Sequence, residues 1–174
     1  MPATSRTLLV LSVLTGAIAC GGMRPAAHAD VRRPPATAAD SASAHRAAVG
    51  FLAAFDSLQW EPFRAYFADD VTMFFPFPQF PSRADGRAAV EAVFERFMTA
   101  QRTARTQAGR PLLQGIAPRD LRIQMAGPDA AIASFHLGTQ SPARRSVVFR
   151  RTEAGTWEVV HWHASPSPAP QEAR

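Results

Sequence analysis

The run Trp157–Ser165, which reads Trp-Glu-Val-Val-His-Trp-His-Ala-Ser, is the feature that most limits how this chain can fold. Aromatic and β-branched residues open it, a composition that suits a pleated, half-buried surface. Side chains on a strand point alternately to opposite sides. Strict alternation therefore predicts Trp157, Val159, His161, His163 and Ser165 on one face and Glu158, Val160, Trp162 and Ala164 on the other. On that reading one face gathers two imidazoles and a hydroxyl beyond a packed tryptophan, as in a strand that starts in a core and ends in a cavity.

Upstream of this run the chain reads as further strands. Residues 121–125 alternate cleanly, Gly127-Pro128-Asp129 signals a tight turn, and 130–137 returns as a more buried strand, so the three make a hairpin. Residues 144–151 and 157–165, joined through Glu153-Ala154-Gly155, make a second.

The first half reads as helices. Val49, Leu52, Phe55 and Leu58 recur at helical spacing and predict an amphipathic helix from about Ser43 to Leu58. Trp60, Phe63 and Phe67 continue into a short second helix with Pro62 in its first turn, where the missing N–H costs nothing, and Asp69-Asp70 is expected to form the turn that ends it. Residues 71–75 predict the first strand. Phe74-Phe75-Pro76-Phe77-Pro78-Gln79-Phe80-Pro81 excludes a helix and a central strand, and reads as a loop closing over the mouth of the core. Asp85 is the expected cap of a third helix, running to 102 with the stripe Val90, Val93, Phe94, Phe97 and Met98. Helices followed by an antiparallel meander predict an α+β fold, with the helices on one face of the sheet.

At 174 residues and 47% hydrophobic the chain is sized for one domain with a real core, and its single cysteine rules out an internal disulfide. All 19 basic residues are arginine, spread along the chain without an aromatic-interleaved cluster, which argues against nucleic-acid binding despite a formal charge of +5. Residues 8–19 form an apolar segment after Arg6 that is too short to span a bilayer but fits a signal-peptide core. We therefore expect an exported chain with residues 1–20 as a lipoprotein-type signal peptide and Cys20 as its lipidated N-terminus. Cleavage after Ala29, giving a periplasmic or secreted form, is the alternative. Residues 21–43 are expected to be a disordered tether, 44–165 the domain, and 166–174 a disordered tail.

The order of elements resembles the nuclear transport factor 2-like superfamily, in particular its SnoaL-like members and the association-domain-like group. The resemblance covers residues 46–165. It rests on Phe55-Asp56-Ser57-Leu58-Gln59-Trp60, on Phe67-Ala68-Asp69-Asp70-Val71-Thr72, on the Gly-x-Asp-Ala-Ala turn at Gly127, and above all on the closing Trp-x-x-Val-His-x-His-x-Ser. It implies a cone, a curved antiparallel sheet wrapped around three N-terminal helices, with a deep pocket inside and often a homodimer formed through the outer sheet face. It does not imply a reaction, because such folds host both enzymes and silent binding or assembly modules.

The candidate lining of the pocket is Trp60, Tyr66, Phe75, Phe97, His161 and His163. The leading expectation is an exported homodimer that binds a small apolar or aromatic molecule without requiring catalysis, with membrane contact only through the lipid anchor. The alternatives are a lyase or isomerase using His161 or His163 as general base with Tyr66 as polar partner, and an oligomeric assembly module. Ketosteroid isomerase chemistry needs a carboxylate base beside a tyrosine and a protonated aspartate, and Tyr66 is the only tyrosine. No cofactor is expected. No metal is expected either, since the third histidine available to His161 and His163 is His136, two strands away, or about 10 Å.

Overall fold

The computed structural model describes residues 34–76, 80–108, 118–137 and 143–166. The expected signal peptide with Cys20, most of the expected tether, and tail residues 167–174 lie outside them. Three helices precede or interrupt the strands: α1 (Ala38–Asp56), α2 (Trp60–Arg64) and α3 (Arg87–Ala108). The strands are β1 (Phe67–Phe74), β2 (Arg83–Asp85), β3 (Arg119–Met125), β4 (Ala130–Leu137), β5 (Ala143–Arg151) and β6 (Trp157–Ser165). They form one curled, unclosed sheet in the order β2-β1-β6-β5-β4-β3. The fold is the expected α+β arrangement.

Helix α1 starts at Ala38, five residues before the predicted start at Ser43. Thr37 accepts from the Asp40 backbone N–H at 3.2 Å while the Asp40 carboxylate accepts from the Thr37 N–H at 2.9 Å. This reciprocal capping satisfies two donors that a helix start leaves orphaned. Its core stripe is Ala44, Ala48, Phe51, Leu52 and Phe55, whereas Val49, counted as core from spacing, is 45% exposed. The helix ends where Leu58 adopts φ +54 and the Gln59 N–H returns to the Ala54 carbonyl.

Two sequence expectations around β1 are corrected. Asp69 and Asp70 do not form a turn; they lie within β1, at a register irregularity between Phe67 and Thr72. Asp85 does not cap α3 but belongs to β2, a short strand that pairs antiparallel with β1. The residue before α3 is Gly86 at φ +85, whose N–H reaches the Val71 carbonyl at 2.8 Å. A side chain would resist that left-handed conformation. The sheet also contains one parallel pairing, β1 with β6, where the meander had suggested antiparallel pairs throughout.

The concave face of the sheet and the three helices enclose a core dominated by rings. Phe51 packs against Phe63, Phe67, Phe149 and Trp162 with centroids 5.1 to 6.2 Å apart. Phe94 stacks on Trp162 at 5.2 Å and on Phe67 at 5.6 Å. Such offset and edge-to-face pairs add to the burial of large apolar surface.

The sheet has two distinct ends. At the turn end lie the β3–β4 and β5–β6 turns, with the Arg151 N–H donating to the Asp129 carbonyl at 2.7 Å. At the loop end the strands run out near Leu137, Ala143 and Ser165.

Candidate functional site

Strand β6 carries a one-residue slip that decides where its side chains go. Val148 on β5 pairs with His161, but the next residue, Phe149, pairs with Val159, so Val160 is inserted without a partner. An extra residue of this kind reverses the facing of everything beyond it. Trp157 and Val159 face the core before the slip, and Trp162 and Ala164 face it afterwards; all four are buried. His161 and His163 are therefore turned to the convex face. This corrects the prediction that they share a face with Trp157 and Val159. The apolar spacing two, three, two in Trp157, Val159, Trp162 and Ala164 was the available signal.

On the convex face the His161 Nδ1 lies 2.7 Å from the Thr72 hydroxyl. Both imidazoles flank Phe74 at 5.7 Å between centroids, and the Arg83 guanidinium lies over the same ring at 5.7 Å. Burial, then the neighbouring His163 and Arg83, push the His161 pKa below the ordinary histidine value, which favours the neutral ring. His136 is engaged elsewhere, with Nδ1 3.3 Å from the Asp120 carboxylate. No group of three metal-ligating side chains lies together among the described residues.

Tyr66 is on the other side of the sheet. Its ring meets Phe51 edge-on at 5.5 Å, and its hydroxyl rests so closely against Gly50 that a Cβ there would collide with it. Burial raises the Tyr66 pKa, so the phenol is neutral. The sheet thus stands between Tyr66 and the two histidines, and the pairing required of an imidazole base with a tyrosine partner is not formed. The other candidates are linked through neighbouring rings, with centroids 6.5 Å apart for Trp60 and Phe63, 4.9 Å for Phe63 and Phe94, and 5.8 Å for Phe94 and Phe75. Phe97 stacks on Phe55 at 5.9 Å. Phe75 and Phe97 are half-buried, and both contact Phe80, at 6.0 and 6.5 Å.

Two polar groups on the concave face were not singled out from sequence. The first is the Trp162 indole: its Nε1 is buried and has no hydrogen-bond partner among the described residues. A donor left so is uncommon, and its desolvation is uncompensated. The second is Arg145, placed between Phe135 and Ala164 on the inner face. The alternation Arg145, Val147, Phe149 on one side of β5 was the available signal. Burial pushes its pKa below the ordinary arginine value.

The comparisons with known proteins agree with this architecture. A SnoaL-like domain family profile matches residues 46–170. No curated protein matches. Among solved structures, an NTF2-like protein from Pseudomonas putida KT2440 is 22% identical, with a TM-score of 0.60 over 79% of this chain and 92% of its own. A cystatin-like fold protein from Burkholderia xenovorans LB400 is 18% identical, with a TM-score of 0.60 over 77% of this chain and 96% of its own. A ketosteroid isomerase-like protein from Erwinia carotovora atroseptica is 16% identical, with a TM-score of 0.53 over 76% of this chain and all of its own. These likenesses concern the fold. With the profile covering most of the chain, the protein belongs to the SnoaL-like domain family.

Proposed function

We propose that the protein binds a small apolar or aromatic molecule on the concave face of its sheet, toward the loop end. The observation that carries this reading is the buried Trp162 N–H, which has no acceptor among the described residues, in a ring cluster whose outer members, Phe75 and Phe97, are half-buried. A ligand acceptor would satisfy the indole, and the rings would supply apolar contact. A variant with Trp60 and Trp157 changed to Phe leaves Trp162 as the sole indole reporter. Screened against small aromatic and aliphatic compounds, it is expected to show hits that raise the melting temperature by several degrees and change the indole emission. Stabilisation by no compound, with unchanged emission, would contradict the proposal.

A homodimer formed through the convex face belongs to the same reading. Phe74 is 37% exposed there and shares the face with the half-buried Ile132 and Val148. Light scattering is expected to give twice the chain mass, reduced to the monomer by Phe74→Asp; a monomeric wild type counts against it. Export and lipid anchoring at Cys20 are proposed from sequence, and predict that palmitate labelling in cells is abolished by Cys20→Ser. Labelling that survives the substitution argues against anchoring there.

A further inference from the structure

From the state of its guanidinium we infer that Arg145 is the anchor for a carboxylate, so that the ligand of the concave face is a small organic acid with an apolar body. The inference rests on the ligand-binding reading above and adds to it the charge of the ligand and the group that holds it.

Four described arginines are half-buried: Arg64, Arg87, Arg145 and Arg151. Arg64 and Arg87 both pair with Glu91, at 3.2 and 2.8 Å, and Arg151 pairs with Asp40 at 2.9 Å. Arg145 forms no ion pair among the described residues; its bonds go only to backbone carbonyls. Its Nη1 donates to the Arg144 carbonyl at 2.8 Å and to the Ser165 carbonyl at 3.0 Å. A partly desolvated cation without a counter-ion is destabilising unless something completes it.

The two carbonyls occupy one nitrogen and hold the plane in place. The edge made by Nε and Nη2 has no acceptor among the described residues, and that edge presents two parallel N–H donors whose spacing matches the two oxygens of a carboxylate. Its surroundings set the rest of the molecule. By register the inner-face neighbours of Arg145 are Phe135 and Ala164, and Trp162 is its diagonal neighbour, about 7–8 Å away along the sheet. An acid with a ring or short alkyl chain can meet the charged edge and the apolar face together. Inorganic anions would leave the apolar face unused.

The test uses the chain without its signal segment and two matched pairs, 4-phenylbutyrate with 4-phenylbutyramide and decanoate with decanamide, titrated by calorimetry. Wild type is expected to bind an acid at least about tenfold more tightly than its amide, since a charge-assisted bidentate pair is lost. In Arg145→Met the acid's advantage disappears, and Arg145→Lys restores only part of it. Arg145→Met is also expected to melt at or above the wild-type temperature, because an uncompensated cation is removed. A merely structural bridge to Ser165 would instead make it melt lower. Equal binding of acid and amide, unaffected by the substitution, overturns the carboxylate anchor while leaving the ligand-binding reading in place. Binding of neither member of either pair, together with a failed neutral-compound screen, overturns both.

Discussion

The inner face of β5 and β6 carries an arginine and a tryptophan toward each end, and the two ends treat them oppositely. At the turn end the Trp157 indole donates to the Ser43 hydroxyl at 3.0 Å, Arg151 pairs with Asp40, and the Arg151 guanidinium lies 5.9 Å from the Trp157 ring centroid. Toward the loop end the Trp162 indole has no acceptor and Arg145 has no carboxylate among the described residues. The same two residue types, on the same strands and the same face, are satisfied in one place and unsatisfied in the other. Polarity on this face is therefore not tolerated by default: the fold supplies partners where it only needs stability. The loop end departs from that practice, and a ligand is the partner that would restore it.

The comparison breaks most severely at the core that both ends share. Trp162→Ala is expected to destabilise the domain by about 3–5 kcal/mol in chemical denaturation, through lost burial and an incompletely filled cavity among Phe51, Phe55, Phe63 and Phe94. The paired substitutions Arg151→Met and Arg145→Met sharpen the contrast directly. The first removes the ion pair and leaves the Asp40 carboxylate only its Thr37 bonds, and is expected to lower the melting temperature by a few degrees, while the second leaves it unchanged or raises it. Equal losses at the two positions would erase the distinction. A smaller effect belongs to the cap at the turn end: Thr37→Ala should cost about 1 kcal/mol in the same denaturation assay.

The smallest effect concerns the convex face. The folded-state pKa of His161 lies below its unfolded value, so the unfolded chain binds more protons near that range and stability rises with pH there. The contribution is complete above the ordinary histidine pKa of 6.5 and is lost as the pH falls through it toward the folded value. Melting curves between pH 7.5 and about 5 should therefore slope less for His161→Asn than for wild type. Identical slopes would remove His161 from the pH response.

Much of the frame was legible in the chain, because hydrophobic period and turn chemistry act locally. The bounds of β6 followed from alternation and the Gly155 turn, and the α3 stripe from Val90 to Met98 is the stripe that packs. What was not legible depends on tertiary context. The slip at Val160 exists because Trp157, Val159, Trp162 and Ala164 all seek the core, and that demand outweighs regular alternation; it carried both candidate histidines to the convex face. Strand β2 lies just beyond a proline-rich stretch, and its pairing depends on β1 rather than on its own three residues. The early start of α1 was written in Thr37 and Asp40 but hidden in an alanine- and proline-rich context. The inward turn of Arg145 is set by its register with Phe135 and Ala164, which a strand read alone does not give.

The most direct measurement follows the four side-chain N–H signals of Trp157, Trp162, Arg145 and Arg151 by ¹⁵N NMR while 4-phenylbutyrate is added. The Trp162 Nε1–H and Arg145 Nε–H resonances are expected to move together and saturate, while those of Trp157 and Arg151 stay in place as internal references. Resonances that all remain still, or a response confined to Trp157 and Arg151, would contradict the claim that the loop end is the end left open for a ligand.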